Sequence, residues 1–205
     1  MSGRFEPLPG GGAAVALDEV EISILRSLAV QLAELIGPGD QPAGAEDPLD
    51  ALFAEGPSEA PSDPALARLF PDAYVAPDQE LDGDAEKEAR AASAEFRRYT
   101  ENDLRARKRD DALAMVRDLD SLAAGSTGSA AKDQAVLELA PQKSRQWLGA
   151  LNDLRLAIGT RLEVTDDDDG GELLGLPDSD PRKPMVMAYF WLGGLQETLI
   201  ETLMA

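Results

Sequence analysis

The sequence predicts a mainly α-helical protein: a multi-helix bundle of one domain, with a small N-terminal β-hairpin and a disordered acidic linker. Apolar residues recur at helical spacing in several separate segments, while proline and glycine are concentrated in one stretch. Hydrophobic residues make up 43% of the chain but aromatic residues only 5%, so aliphatic side chains must form most of the core. Together these observations favour about five longer helices around an aliphatic core.

Residues 1–36 are expected to form the hairpin and the first helix of the core. Segments 4–8 and 13–17 flank a turn-forming run of one proline and three glycines. Asp18 is expected to cap the helix that follows, because its carboxylate can accept hydrogen bonds from the first turn. Gly37 and Pro38 end the helical pattern.

Residues 37–62 are expected to form a flexible acidic linker, because five prolines and four glycines break any helical periodicity there. One apolar island, residues 47–53, interrupts this stretch. Asp47 as a cap and Pro48 in the first turn would allow a single short helix. The island either packs on the core of this chain or serves as a docking motif for a partner.

Residues 63–205 are expected to hold the rest of the helical core. Helices are predicted over residues 65–70, 84–98, 100–123, 141–158 and 184–204. The sequence Thr100-Glu101-Asn102-Asp103 resembles a capping box, which would either restart a helix there or reinforce a continuous one. A short strand is expected over 161–164 and an acidic loop over 165–171. The C-terminal helix is apolar on most faces, which predicts a place in the core or at a homodimer interface.

Composition excludes several classes of function. The sequence contains no cysteine and no histidine, so disulfides, thiol nucleophiles, Ser-His-Asp catalysis and Cys-His catalysis are all excluded. Catalysis by Asp, Glu, Lys, Tyr or a carboxylate-bound Mg²⁺ stays open. No catalytic site, metal site or cofactor site is recognised, and the protein is expected not to be an enzyme.

Charge and hydropathy predict a cytoplasmic protein. The net charge is −20, which opposes binding to nucleic acid or to an anionic membrane through the molecule as a whole. The N-terminus shows no signal peptide, and the most apolar stretch, residues 185–195, is shorter than the roughly 20 residues that a membrane span needs.

The acidic run Asp166–Asp169 is interpreted as a solvated turn. A calcium loop of EF-hand type with Gly170 at its sixth position would place Thr165 first and Leu176 twelfth, and neither fits. The helix after Pro141, followed by a strand and this turn, has the element order of a winged DNA reader. Four successive aspartates in the wing would repel phosphate, so direct DNA binding is not expected.

A basic cluster is the candidate partner-binding site. It comprises Arg97, Arg98, Arg105, Lys108 and Arg109. The alternative interpretation is a solvated, salt-bridged helix face, because Glu101 precedes Arg105 by four residues. In so acidic a chain, an acidic protein segment fits such a patch better than DNA does.

Residues 147–162, Trp-Leu-Gly-Ala-Leu-Asn-Asp-Leu-Arg-Leu-Ala-Ile-Gly-Thr-Arg-Leu, resemble a segment of an actinobacterial family described as a domain of unknown function. Weaker agreement lies at 68–74, 95–105 and 191–197. The residues taken from these motifs are Trp147, Asn152, Asp153, Arg155, Arg161, Trp191 and Gln196. The family is similar to that of the oxidative-stress transcription regulator AosR.

The resemblance implies a regulator that senses oxidation through two cysteines three residues apart, associates with an extracytoplasmic-function sigma factor and raises expression of a cysteine-biosynthesis operon. This chain has no cysteine, so the sensing residues cannot be carried over. The preferred function is a non-enzymatic regulator that binds a sigma factor or an RNA polymerase subunit. Family members are often encoded beside a Clp protease adaptor, so an accessory role in Clp proteolysis is the alternative. A carboxylate-metal enzyme ranks behind both.

Limited proteolysis is expected to cut first within residues 37–62, outside the island at 48–53, because exposed polar backbone is the preferred substrate of proteases. Mass spectrometry of the first fragments measures this. Strong amide-exchange protection throughout the stretch would contradict the prediction.

Overall fold

A computed structural model describes residues 3–38, 55–75, 82–126, 134–165 and 171–204. Four long helices, two short helices and three strands lie within these ranges, which confirms the predicted mainly α class. Their bounds are β1 Glu6–Pro7, β2 Ala13–Leu17, α1 Glu19–Ile36, α2 Pro64–Leu69, α3 Gly83–Ser126, β3 Ala135–Leu139, α4 Pro141–Arg161, α5 Gly171–Leu174 and α6 Lys183–Met204. The apolar island at 47–53 and the acidic run at 166–169 lie outside the described residues.

The predicted N-terminal hairpin is confirmed, and it belongs to a three-stranded antiparallel sheet with the order β1-β2-β3. Strand β2 pairs with β3 so that Ala13 lies opposite Leu139 and Leu17 lies opposite Ala135. Strand β3 is absent from the predicted elements, although its residues alternate between buried and exposed as a half-buried strand does. Its partner β2 lies far away along the chain, and local patterns carry no signal of such a pairing.

Helix α1 begins at a reciprocal cap. The Asp18 carboxylate accepts a hydrogen bond from the Glu21 N–H at 2.7 Å, and the Glu21 carboxylate accepts one from the Asp18 N–H at 3.0 Å. Such a capping box satisfies two donors that the helix itself leaves unpaired. Gly37, with a φ of 67°, ends the helix as expected.

Helix α3 is one continuous helix of 44 residues, so the capping-box pattern at Thr100 does not restart a helix. Inside the helix, the Thr100 hydroxyl donates to the Phe96 carbonyl at 2.8 Å. Two predicted helices are therefore one, and the described part of the chain has four long helices instead of five. Helices α1 and α4 pack on the second half of α3, where Ala112, Met115 and Leu119 are fully buried.

The predicted strand at 161–164 is wrong. Helix α4 continues to Arg161 and then closes through a left-handed residue, Glu163, whose φ is 58°. The Val164 N–H donates to the Gly159 carbonyl at 2.9 Å, and the Glu163 N–H donates to the Thr160 carbonyl at 3.2 Å. This pair of bonds is a Schellman cap, which here forms around a residue other than glycine.

Helix α6 contributes one face to the core, where it packs on α4 and on the N-terminal strands. Trp191, Leu192, Leu195 and Leu199 are buried on that face. Its outer face leaves apolar side chains such as Ile200 in solvent. Among the described helices, none combines the length and apolarity needed to cross a bilayer.

The division of the chain into residues 1–36, 37–62 and 63–205 stays a prediction. The end of the predicted linker contacts the core, because the Gly56 N–H donates to the Arg98 carbonyl at 2.7 Å. The Glu55 carboxylate accepts a hydrogen bond from Arg98 at 2.7 Å.

Replacing Gly12 by alanine is expected to destabilise the fold more than replacing Gly10. Both glycines have a φ above 90°, which L side chains rarely adopt and which costs about 1–3 kcal/mol. A methyl group at Gly12 would also overlap the carbonyl oxygen of Leu139, whereas one at Gly10 meets no atom within 4 Å. Urea unfolding of Gly12→Ala and Gly10→Ala measures the difference. Equal losses of stability would contradict the clash at Leu139.

Candidate functional site

The structure places Arg97, the first residue of the basic cluster, in the interior. Its guanidinium donates to the Glu101 carboxylate, to Asp72 at 2.8 Å and to the Phe70 carbonyl at 2.9 Å. Arg105 donates to the other oxygen of Glu101 at 2.6 Å and lies over the Phe70 ring at 4.4 Å. We call these side chains, centred on Glu101, the Glu101 network.

The Glu101 network joins three elements. Arg105 donates to the carbonyl of Ile36 at the end of α1, a group that the helix itself leaves without a partner. Arg97 holds the segment that follows α2 through Phe70 and Asp72. Burial opposes the charge of Arg97, but hydrogen bonds and charge from Asp72 and Glu101 outweigh it and raise the pKa of the guanidinium.

The other members of the basic cluster differ in exposure. Arg98 is partly exposed and donates to Glu55, while Lys108 donates to the buried Asp153 at 2.6 Å. Arg109 is half-buried and makes no ion pair with a described residue. The predicted pair of Glu101 with Arg105 is confirmed. Assignment of the cluster to a partner-binding surface stays a prediction, and the contacts of Arg97 give that residue an internal role.

The motif that begins at Trp147 holds α4 against α3. Trp147 is buried, its indole N–H donates to Asp118 at 3.0 Å, and its ring meets Phe5 edge-on at 6.2 Å. Asp153, further along α4, accepts a hydrogen bond from Lys108 of α3. These motif residues therefore position a helix.

Three further motif residues form a polar chain between α4 and α6. Arg155 donates to the side-chain oxygen of Gln196 at 2.5 Å, and the Gln196 amide donates to Asn152 at 3.3 Å. The guanidinium of Arg155 lies 5.1 Å from the centre of the Tyr189 ring. Two other motif residues take no part in these hydrogen bonds. Trp191 is buried in the core, and Arg161 is exposed at the end of α4.

Arg155 and Tyr189 separate two concavities, which together we call the Arg155 groove. The larger, of about 670 Å³, has an apolar wall that includes Phe190 and Ile200. Gly193 and Gly194 of α6 also line it, with Glu197 and Glu201. The smaller, of about 520 Å³, lies on the other side of Arg155 and includes Arg68, Thr160 and Glu163.

The groove combines an arginine, an aromatic wall and a bare stretch of helix. An arginine side chain can bind a carboxylate through two parallel N–H donors, and aromatic and aliphatic surfaces can accept apolar side chains. Within the described residues, no group of three or more Asp or Glu side chains is placed to hold a metal ion.

A partly buried carboxyl group lies between α3 and α4. Asp111 approaches Gly149, where an added methyl group would lie 3.1 Å from the carboxylate. Burial raises the pKa of Asp111, and the nearby charges of Asp153 and Asp110 raise it further, while Arg107 and a hydrogen bond with Gln146 lower it. The net direction is upward, which makes the ionised form unfavourable in the folded state.

Comparison with known proteins identifies the family. A family model described as Domain of unknown function (DUF2017) matches residues 2–203. The chain belongs to the DUF2017 family. Proteins of Mycobacterium bovis and Mycobacterium tuberculosis named oxidative stress regulator AosR are 31% identical over 205 residues, covering 98% of this chain and 86% of theirs. A Mycobacterium leprae protein that also carries the AosR name is 31% identical over 191 residues, covering 90% of this chain and 79% of its own. No solved structure matches.

The DUF2017 match confirms the resemblance seen in the motif segments, and it spans both the Glu101 network and the Arg155 groove. The sequence pattern does not single out Tyr189 and Phe190, because the apolar stretch that contains them predicts a place in the core or at a homodimer interface. The adjacent glycines Gly193 and Gly194 were an available signal, since glycine inside a helical pattern indicates a packing or functional reason.

Arg97→Met is expected to lower the free energy of unfolding by roughly 3 kcal/mol. This is the lower end of the range for breaking a buried ion pair, because Glu101 would still be paired with Arg105. Arg98→Met is the control, since its pair with Glu55 is exposed and contributes about 0.2–1 kcal/mol. Chemical denaturation of both variants measures the difference. Equal stabilities would show that the Glu101 network does not hold the fold.

Asp111→Asn is expected to raise the melting temperature at neutral pH. A raised folded-state pKa means that ionisation of Asp111 costs stability, and this cost develops as pH rises from the ordinary carboxyl value to the raised folded-state value. The advantage of the variant should therefore vanish as pH falls below the ordinary carboxyl value of 3.8. Melting curves across this pH range measure it. Asp103→Asn, at an exposed position of α3, removes the same charge without acting on the pKa of Asp111, and an equal gain there would contradict an effect of burial.

Proposed function

We propose that this protein is a non-enzymatic regulator of the oxidative-stress response, acting in the cytoplasm by binding a sigma factor or an RNA polymerase subunit. The observation that carries the proposal is similarity along almost the whole chain. Relatives named oxidative stress regulator AosR align with 98% of it. The coverage supports a shared function of the entire fold, since no large part of this chain is left unmatched.

Two features of the chain support action through protein contact. The net charge of −20 repels the phosphates of DNA, so a role in transcription is more readily performed on a protein than on the promoter itself. The Arg155 groove is an open surface with apolar and charged sides, the composition that protein recognition uses.

The oxidation signal must reach this protein without a thiol. The sequence contains no cysteine, so no disulfide can form within it or between two copies. Methionine is the other sulfur-containing side chain that can be oxidised, and Met185, Met187 and Met204 are exposed on α6. A regulator of this kind is controlled by its abundance, by its partner or by methionine oxidation.

Diamide, which oxidises thiols, is expected to leave the fold and the partner affinity unchanged, because there is no thiol to react. Circular dichroism and a binding assay before and after treatment measure this. Hydrogen peroxide is expected to act only through methionine, which mass spectrometry detects as an added oxygen. A large, reversible response to diamide would contradict the proposed absence of a thiol switch.

Affinity capture tests the function itself. A tagged chain is crosslinked in its native host and purified, and a tag alone is the control. Purified sigma factors and core polymerase are then tested directly for binding. Saturable binding to one of them, with no shift of a promoter fragment in the absence of polymerase, supports the proposal. Specific enrichment of Clp subunits, or turnover of a substrate by the isolated protein, would replace it.

A further inference from the structure

Two arginines of the Arg155 groove make no ion pair with a carboxylate among the described residues. Arginines elsewhere, such as Arg26, Arg98 and Arg182, donate to carboxylates in the described part of the chain. Arg155 donates to the neutral amide of Gln196, and Arg68 makes no ion pair with a described residue. Both line the smaller concavity. In a protein with twenty excess negative charges, this concavity has two arginines and one described carboxylate, Glu163, with which neither arginine makes an ion pair.

The neighbouring concavity is shaped for an apolar side chain. Tyr189 and Phe190 meet edge-on at 5.5 Å and form one wall. Gly194 leaves the surface of α6 bare, since a methyl group there would meet no atom within 4 Å. Gly193 lies beneath the guanidinium of Arg155, and Ile200, which is 39% exposed, extends the apolar surface.

We propose that the Arg155 groove binds a segment of the partner protein that carries a carboxylate and, close beside it, apolar side chains. The carboxylate is bound by Arg155 with Arg68 on the same concavity, and the apolar side chains pack over Gly194 against Phe190 and Ile200. The inference rests on the proposed function and names the surface through which it is performed.

The distribution of charge over the two concavities favours one orientation of the bound segment. The arginines outnumber the one described carboxylate, Glu163, in the smaller concavity, whereas Glu197 and Glu201 outnumber Arg155 in the larger one. A carboxylate is attracted to the first position and repelled from the second, so a segment with one acidic end fits in only one orientation. Such complementarity raises the rate and specificity of association.

A second copy of this chain is a poor occupant of the groove. Each copy carries a net charge of −20, so two copies repel each other at the distances of an interface. A partner segment whose negative charge is limited to the carboxylate at Arg155 avoids most of that repulsion.

Peptide display on the full-length protein tests the proposal. The probe is a library of random twelve-residue peptides, selected on the wild-type chain and then measured one by one. The selected peptides are expected to share a carboxylate near two apolar residues. Gly194→Leu, which fills the concavity, should weaken them at least about tenfold, and Arg68→Gln should weaken them by a smaller factor.

Matched controls separate the groove from general effects. Gly125→Leu makes the same substitution in α3, where an added methyl group also meets no atom within 4 Å. Arg145→Gln removes an exposed arginine of α4 that does not line the groove. Both should leave peptide affinity unchanged, and melting curves confirm that every variant folds. Because Gly194 and Arg68 are exposed, their variants test binding without disturbing the core.

The outcomes are distinct. If no peptide is selected, or if the selected peptides bind Gly194→Leu as well as wild type, the groove is not the binding site and the proposal is overturned. A wild-type dimer in sedimentation that Gly194→Leu dissociates makes a second copy the occupant and also overturns the proposal. If purified sigma factor or polymerase binds wild type and Gly194→Leu equally, the proposed function stands and this inference falls. If peptides select the groove but neither protein binds, the function falls and the recognition chemistry stands.

Discussion

Glu101 is the side chain on which the arrangement of the helices most depends. It is buried on α3 and accepts hydrogen bonds from Arg97 and Arg105, one turn before and one turn after it. These two arginines in turn hold the end of α1 and the segment after α2 through backbone carbonyls. A buried carboxylate with two arginines is stable only while all its hydrogen bonds are made, so the three elements must adopt one relative position.

A second set of polar contacts relates α4 to its neighbours. Two side chains of α4 make these contacts. Asp153 accepts a hydrogen bond from Lys108 of α3, and Arg155 donates one to Gln196 of α6. Helix α4 thus lies between α3 and α6, with its buried leucines supplying the hydrophobic energy and these pairs fixing its rotation. That rotation brings Arg155 beside Tyr189 and creates the groove, so the most specific motif of the family both holds the fold and forms the proposed binding surface.

The distribution of charge suits a protein that acts on other proteins. Several of its arginines and lysines are paired with buried carboxylates, as Arg97 and Arg105 are with Glu101 and Lys108 is with Asp153. The outer surface is left strongly acidic, which discourages contact with DNA and with other acidic surfaces. Against that background, a concavity lined by two arginines and one described carboxylate, Glu163, has a local excess of positive charge, and local contrast of this kind is a source of specificity.

The sequence by itself determined the elements whose signals are local. Helical spacing and the cap at Asp18 predict α1, the Pro9 to Gly12 run predicts the hairpin, and Glu101 four residues before Arg105 predicts an ion pair. Only the tertiary structure decided that β3 joins the hairpin, that Arg97 faces inward and that Arg155 meets Gln196. Each of these depends on residues distant in the chain, and a local pattern does not identify such a partner. The wrong strand at 161–164 has a local cause, because the cap around Glu163 uses a left-handed backbone conformation that residue type alone does not announce.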